Sequence, residues 1–143
     1  MEKAPLIEVQ DLHTYFGKPE HPVRAVDGVS FTLGEGETMA LVGESGCGKS
    51  ITALSLARLV PQPPGFYAGG QILLKGNNIL TISEDELQQI RGSDIAYIFQ
   101  EPSQSLNPVF QVGYQIMESL RKSTFFFHFQ YRRYCYIPVC LKV

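Results

Sequence analysis

The sequence predicts an α/β fold in which an N-terminal antiparallel sheet precedes the start of a parallel core sheet. Two segments, 6–11 and 23–33, have the β-branched and apolar composition of strands. A short apolar run at 38–42 then leads directly into a glycine-rich loop and a helical pattern over 49–60. A strand, a loop and a helix in this order are typical of α/β domains.

Turn and capping signals place the next elements. A Gly-Asn-Asn turn at 76–78 divides the segment 69–80 into a predicted hairpin. Ser83 and Glu86 have the spacing of a capping box, which predicts a helix that ends near Ile90.

The parallel core is expected to be incomplete. The apolar run 94–99 is a second candidate core strand beside 38–42, and a helical pattern over 109–121 follows it. Because only two core strands are evident, we expect the edges of the parallel sheet to be unprotected.

Composition and charge exclude several classes of protein. The chain has 143 residues, 44% of them hydrophobic and 18% charged, which predicts one ordinary globular domain rather than disorder. A net charge of −2 gives no basic footprint for nucleic acid. No apolar run reaches the roughly 18 to 20 residues that span a bilayer, and no secretory signal is visible. Three cysteines are too few for a disulfide framework, so we expect a cytoplasmic protein.

The charge is unevenly distributed along the chain. All 14 acidic residues lie within 1–118, whereas the last 25 residues contain five bases and no acid. Seven of the 16 aromatic residues are concentrated in 125–136. We therefore divide the chain into a partial domain at 1–122 and an atypical basic aromatic tail at 123–143.

The glycine-rich loop 43–50 has the sequence Gly-Glu-Ser-Gly-Cys-Gly-Lys-Ser, which matches G-x-x-x-x-G-K-[ST] in full. Glycines let the backbone N–H groups of such a loop surround phosphate oxygens, and the helix that follows adds its dipole. Lys49 would contact the β- and γ-phosphates, and the Ser50 hydroxyl would bind Mg²⁺. The alternative is a chance glycine-rich turn, but a predicted strand before it and a helix after it favour nucleotide binding. The variable Cys47 is best explained as a small, tolerated side chain.

The surrounding motifs resemble those of the ATP-binding subunits of ABC transporters. Gln100 lies in Ile-Phe-Gln-Glu-Pro at 98–102, and Ser-Leu-Asn-Pro follows at 105–108. The stretch Ala-Val-Asp-Gly-Val-Ser-Phe at 25–31 lies before the phosphate loop. This order looks most like the oligopeptide, dipeptide and nickel uptake branch, and the resemblance covers about 6–120.

The resemblance implies roles for particular residues. It implies ATP and Mg²⁺ as ligands, with Gln100 reaching the metal and the attacking water. An aromatic residue near the end of the first strand would stack on adenine; Phe16 matches best and Tyr15 is the neighbouring candidate. The alternative for Phe16 is a buried aromatic of the sheet, and for Gln100 an ordinary loop amide. The implied nucleotide contacts are Phe16, Gly43, Glu44, Ser45, Gly46, Cys47, Gly48, Lys49, Ser50 and Ile51.

The resemblance also implies partners. Loop 100–110, which we call the docking segment, would contact the membrane subunits, and a second ATP-binding subunit would complete the full-length form. Such a protein is cytoplasmic and peripheral on the inner face of the cell membrane.

Three motifs of hydrolysing relatives are missing from this sequence. It has no apolar run that ends in Asp-Glu, and no Leu-Ser-Gly-Gly-Gln signature loop. Ala-Gly-Gly-Gln at 68–71 imitates the signature, but it lacks the serine and lies too early, so we interpret it as a turn. No switch histidine follows, because His128 lies in the tail.

The tail departs from the family near Lys122 and suggests a truncated or frame-shifted reading frame. A basic aromatic segment for membrane surfaces is the functional alternative. We expect a truncated ATP-binding subunit of a peptide or nickel importer. The alternatives are a non-catalytic nucleotide-binding fragment or docking decoy and, less well supported, another P-loop enzyme such as a kinase.

Overall fold

The computed structural model describes residues 4–91, 93–98, 106–124 and 137–140. Six strands and three helices lie in these ranges. In chain order they are β1 (Ile7–Phe16), β2 (Val23–Leu33), α1 (Lys49–Ser55), β3 (Gly65–Leu74), β4 (Asn77–Asn78), α2 (Glu84–Ile90), β5 (Ile95–Ile98), α3 (Val112–Thr124) and β6 (Ile137–Cys140).

The N-terminal half forms the predicted antiparallel sheet, with strand order β2-β1-β3-β4. The central strand β1 is longer than the predicted 6–11, because it pairs along its length with both neighbours. At its far end Phe16 lies opposite Val23 of β2 and Gly65 of β3. Asp11, with φ of 47°, forms a bulge that shifts both registers.

One face of this sheet carries the hydrophobic core. Strand positions alternate between faces, and the residues of β1 on this face are almost completely buried. Leu56 and Ala57, which follow α1 directly, are buried in the same cluster. The main members from the sheet are Ile7, Val9, Leu12, Val26, Ile72 and Leu74.

The hairpin between β3 and β4 is confirmed, but its turn lies one residue earlier than predicted. Leu74 pairs with Asn77, so Lys75 and Gly76 are the two central turn residues. Both have positive φ, 49° and 85°, which suits the tight turns that match strand twist.

The prediction of a turn at 68–71 is wrong, because this segment lies inside β3. Gly70 packs against the backbone of the Asp11 bulge, where an added Cβ would collide with the Asp11 carbonyl oxygen. Gly70 therefore accommodates a bulge in the neighbouring strand rather than a chain reversal.

The capping box at the start of α2 is confirmed. The Ser83 hydroxyl accepts a hydrogen bond from the Glu86 backbone N–H, and the Glu86 carboxylate accepts one of 3.0 Å from Ser83 N–H. The predicted helix over 109–121 begins later, at Val112. Before it, the Asn107 side chain accepts a 3.0 Å hydrogen bond from Val109 N–H, which holds a turn instead of helix.

The predicted buried strand at 38–42 is wrong. This segment has no regular secondary structure, and Met39, Leu41 and Val42 are exposed, Val42 by 85%. A strand needs a hydrogen-bonded neighbour, and none of the described strands pairs with these residues. Residues 38–42 are therefore exposed and lie outside the described strands.

The second predicted core strand is confirmed as β5. It pairs in parallel with β6, with Ile95 opposite Ile137, and α3 lies between the two strands in sequence. The parallel part of the structure is thus formed with a strand from the predicted tail and does not include 38–42. The domain boundary near residue 122 stays a prediction.

Helix α1 is shorter than the predicted 49–60. It ends at Ser55, and Arg58 has a left-handed backbone with φ of 51°. The Arg91 guanidinium donates hydrogen bonds to the carbonyl oxygens of Ala57 (2.9 Å) and Arg58 (3.0 Å). These bonds satisfy carbonyl groups that a longer helix would have paired internally.

Candidate nucleotide-phosphate site

The loop 43–50 lies beside the outer edge of β2. Its last glycine, Gly48, has φ of 92° and is the N-cap of α1. A Cβ at this position would collide with the carbonyl oxygen of Ala25 on β2. Only glycine combines this backbone conformation with such a close approach, so the sheet edge fixes where the loop meets the helix.

The loop is folded tightly on itself. Cys47 N–H donates a 3.3 Å hydrogen bond to the Glu44 carbonyl, and Gly46 between them has φ of 82°. An added Cβ on Gly43 would lie 2.7 Å from Cys47 Sγ, so the two ends of this turn are in contact. The small Cys47 side chain thus lies in contact with Gly43 within the loop.

The Lys49 ammonium lies over this turn. Its Nζ donates hydrogen bonds to the carbonyl oxygens of Gly43 (2.8 Å) and Glu44 (2.6 Å), and lies 3.6 Å from Cys47 Sγ. These contacts keep the positive charge of Lys49 at the loop. An anion bound by the backbone N–H groups of the loop would contact this charge.

A depression of about 150 Å³ opens between the loop, the start of α1 and the edge of β2. The residues that line it are Ala25, Gly46, Gly48, Lys49, Ser50 and Ile51. All of them except Ala25 are among the predicted nucleotide contacts. Gly43, Glu44 and Cys47 contact the Lys49 side chain, and Ser45 is exposed on the loop. Gln100, the predicted catalytic and metal-binding residue, lies outside the described residues.

The two aromatic candidates at the end of β1 lie on opposite faces of the sheet. Phe16 shares its face with Thr14, which is buried against Ser55 of α1. Tyr15 points to the other face, where its hydroxyl donates a 2.6 Å hydrogen bond to Asp27. Only Phe16 therefore lies on the face of the sheet that packs against α1.

The half-buried Phe16 ring lies over the backbone of Gly65. Its Cε1 would be 3.1 Å from a Cβ added to that glycine. On the other side of β1, Phe16 lies opposite Val23, which is two residues, or roughly 7 Å, along β2 from Ala25. Since Ala25 lines the depression, the ring and the loop lie near the same end of the sheet.

Sequence reasoning missed two groups that support the loop. One is the Ala25 carbonyl on the outer edge of β2, which no sequence signal reveals. The other is the hydroxyl pair of Thr14 and Ser55, 3.1 Å apart and fully buried between β1 and α1. Here a signal was available, because Thr14 is a polar residue at a core-facing position of an alternating strand.

The face of the sheet that carries Tyr15 has a charged cluster around His13. Its Nδ1 lies 2.9 Å from Asp27 Oδ1, and its Nε2 lies 3.1 Å from Asp11 Oδ1. The hydrogen bond to Asp27 raises the pKa of His13, in opposition to partial desolvation. Hydrogen bonds from Tyr15 and His13 lower the pKa of Asp27 to about 2. Arg24 joins the cluster, 3.2 Å from Asp27 and 5.7 Å from the centre of the Tyr15 ring.

The docking segment is described only from Leu106 onward. Residues 106–110 are all exposed, including Val109 (84%) and Phe110 (56%). The first half of α3 continues this apolar surface. Its exposed members are Val112, Tyr114, Ile116 and Met117.

Within the ranges that the structure describes, no helix is both long and apolar enough to cross a membrane. The same ranges contain no group of three or more His, Cys, Asp or Glu side chains placed to hold a metal ion. A Mg²⁺ site that uses one hydroxyl and phosphate oxygens does not need such a group.

Curated proteins with similar sequences are ATP-binding proteins of peptide transport. The chain is 48% identical over 117 residues to the oligopeptide transport ATP-binding protein OppD of Bacillus subtilis, covering 82% of this chain and 33% of OppD. It is 47% identical over 116 residues to the probable peptide ABC transporter ATP-binding protein y4tR of Sinorhizobium fredii, covering 81% and 35%. The chain thus spans about a third of the length of these relatives.

Solved structures share the fold. The dimeric structure of MJ0796, a bacterial ABC transporter cassette, aligns with a TM-score of 0.66 at 21% identity, over 88% of this chain and 49% of that one. A post-hydrolysis dimer of the same cassette, bound to ADP and Pi, aligns with a TM-score of 0.56 at 23% identity, over 66% and 38%. The family model described as ABC transporter matches residues 26–131. The chain therefore belongs to the ABC transporter family and has the fold of part of an ATP-binding cassette.

Proposed function

We propose that this chain is part of the ATP-binding subunit of an importer for peptides or nickel, and that loop 43–50 binds the phosphates of Mg-ATP. The observation that carries the proposal is the geometry around Gly48 and Lys49. A glycine fixed on the edge of β2 starts the helix, and an ammonium group lies over the loop. The names of the relatives support peptides as the transported class.

The loop and the first helical residues would divide the work of binding. Backbone N–H groups of the loop, including those of Glu44 and Ser45, would donate to phosphate oxygens. The Cys47 N–H would exchange its bond to the Glu44 carbonyl for a phosphate oxygen. Lys49 would exchange its carbonyl contacts for the β- and γ-phosphates, where a charge-assisted bond is stronger. Ile51 follows in the first turn of the helix and lines the depression.

Phe16, rather than Tyr15, would stack on the adenine ring. Its placement on the α1 side of the sheet supports this assignment, as does the short distance along β2 to Ala25. The Tyr15 ring is held on the other face by its hydrogen bond to Asp27 and by an edge contact with Phe66. Tyr15 thus has a structural role that explains it without a nucleotide.

Ser50 and Gln100 would hold Mg²⁺, with Gln100 also orienting the attacking water. Ser50 fits this role because it is the second residue of α1 and lines the depression beside Lys49. When bound, the metal neutralises charge on the phosphates.

The partners follow from the same family assignment. The docking segment would contact membrane subunits on the cytoplasmic side, and a second ATP-binding subunit would complete the site. Exposed apolar side chains at Val109 and Phe110 support this surface, because such a patch is typical of interaction sites.

A second candidate is a nucleotide-binding fragment without turnover. The sequence observation that favours it is the lack of the acidic Asp-Glu run and of the signature loop. Both candidates share the binding site but differ in ATP hydrolysis.

Titration of the 143-residue chain with Mg-ATP tests the binding proposal. Replacement of Lys49 by Ala should weaken binding by roughly 1.5–3 kcal/mol, about one to two decades in affinity, because a charge-assisted contact is lost. Lys75→Ala is the matched control. Lys75 lies away from the loop and forms an ion pair with Asp94 over 2.6 Å. Equal curves for the parent and Lys49→Ala would refute the role of Lys49.

A further inference from the structure

Helix α1 carries Lys49 and Ser50, and one contact with the sheet lies at each of its ends. One is the packing of Gly48 on Ala25 at its start. The other is the buried hydroxyl pair of Thr14 on β1 and Ser55 at its end, 3.1 Å apart, with both residues 0% exposed.

The direction of the bond between these hydroxyls can be deduced. Ser55 Oγ already donates its single proton to the Ile51 carbonyl oxygen at 2.7 Å. Thr14 Oγ1 must therefore be the donor to Ser55 Oγ. Because both hydroxyls are buried, loss of the Ser55 hydroxyl leaves the Thr14 proton without its acceptor, which is costly. Loss of the Thr14 hydroxyl removes the hydrogen bond that joins β1 to the end of the helix, while Ser55 keeps its bond to Ile51.

The two hydroxyls connect the two halves of the proposed nucleotide site. Thr14 lies two residues before Phe16 on the same face of β1, so a shift at Thr14 moves the ring. Ser55 lies six residues after Lys49 in one continuous helix, so a shift at Ser55 moves the phosphate-binding residues. A ligand that reaches both Phe16 and Lys49 is sensitive to the spacing between strand and helix.

We propose that Thr14 and Ser55 are positioning residues that set the distance between the Phe16 ring and loop 43–50. They thereby make the site prefer a nucleoside triphosphate to bare tripolyphosphate. This inference rests on the proposed function. Tripolyphosphate needs only the loop, whereas ATP needs the loop and the ring at the correct separation.

The test compares the affinities of the 143-residue chain for Mg-ATP and Mg-tripolyphosphate by calorimetry. Thr14→Val removes the donor and keeps the shape of the side chain. It should lower the affinity for Mg-ATP about two- to tenfold, as expected for one net hydrogen bond, and leave that for Mg-tripolyphosphate unchanged. Thr14→Ser keeps the hydroxyl and should restore the preference for ATP.

Two further variants separate positioning from stability. Ser55→Ala removes the acceptor and should give the same selective loss, which keeps the test decisive if Thr14→Val does not fold. Ile72→Val, a core change on β3, should lower stability and leave the ratio of the two affinities unchanged.

The outcomes are distinct. The positioning role would be overturned if folded Thr14→Val or Ser55→Ala kept the parent's ratio of affinities for Mg-ATP and Mg-tripolyphosphate, whether both affinities were unchanged or both fell equally. ATP binding itself would still stand. If the parent chain binds neither ligand, the proposed function fails first and this inference fails with it.

Discussion

His13 on β1 and Asp27 on β2 are joined by a 2.9 Å contact across the face of the sheet opposite α1. The Asp27 carboxylate also accepts hydrogen bonds from Tyr15 and Arg24, so one acceptor serves three donors from two strands. The cluster joins β1 to β2, so its protonation affects the stability of the sheet.

The cluster predicts a pH dependence of stability. Asp27 raises the pKa of His13 above its usual 6.5, so the folded state binds the proton more tightly than the unfolded state. The stabilisation is complete below pH 6.5 and is lost as the pH rises through the higher folded pKa. Urea midpoints between pH 5.5 and 8.5 should fall with pH in the parent chain, and less steeply in His13→Gln. Parallel curves would contradict the coupling.

Asp27 predicts the opposite pH dependence of stability at low pH, a loss of stability as the pH falls. Its pKa of about 2 lies below the ordinary 3.8, so its contribution is present above pH 3.8 and is lost as the pH falls toward 2. Asp27→Asn should remove this acid-dependent part of the unfolding curve between pH 4 and 2. Circular dichroism during acid titration measures it, and unchanged acid sensitivity in the variant would argue against the assignment.

Gly48 should tolerate no side chain. Gly48→Ala adds the penalty of a left-handed backbone, about 1–2 kcal/mol, to a collision with the Ala25 carbonyl oxygen, so Mg-ATP binding should be lost. Gly36→Ala is the matched control, because Gly36 also has positive φ, 78°, but an added Cβ there would meet open space. Equal effects of the two variants on ATP binding would show that the strand contact is unimportant.

Phe16 and Tyr15 should differ in their effect on nucleotide affinity. Phe16→Ala should weaken Mg-ATP binding by about 1–3 kcal/mol, the range for an aromatic ring stacked on a base. Tyr15→Ala should affect stability through the lost Asp27 bond and leave the affinity of the folded chain nearly unchanged. A larger loss of affinity in Tyr15→Ala would reverse the assignment.

The 143-residue chain should show little or no ATPase activity even if it binds ATP. The phosphate loop binds ground state and transition state alike, which raises affinity without raising turnover. The sequence provides no acidic strand for the water and no signature loop. Phosphate release at the rate of a full-length relative, abolished by Lys49→Ala, would show that the tail supplies chemistry.

Much of the fold was predictable because its signals are local. β2, the capping box of α2 and the hairpin at Gly76 follow from residue types and spacing alone. The failure at 38–42 has a different origin. An apolar run of this length indicates a buried strand only if neighbouring strands cover it, and local sequence contains no information about that cover.

In the candidate site, too, local sequence predicts some residues, whereas others depend on tertiary contacts. The motif predicts Gly48, Lys49 and Ser50, because their roles depend on backbone conformation and charge within eight consecutive residues. The contribution of Ala25 depends on how an edge strand approaches the loop, a tertiary relationship that spacing does not encode. The choice between Phe16 and Tyr15 required the register of β1, because the Asp11 bulge changes which residues share a face.

The exposed segment 38–42 bears on how this chain behaves in concentrated solution. The segment Thr-Met-Ala-Leu-Val begins and ends with residues that favour strands, is mostly apolar, carries no charge and includes no proline. An exposed, uncharged apolar segment that belongs to none of the described sheets is a site for pairing between molecules. Self-association should therefore begin immediately beside the loop proposed to bind ATP, so that aggregation and nucleotide binding compete for the same edge of the molecule.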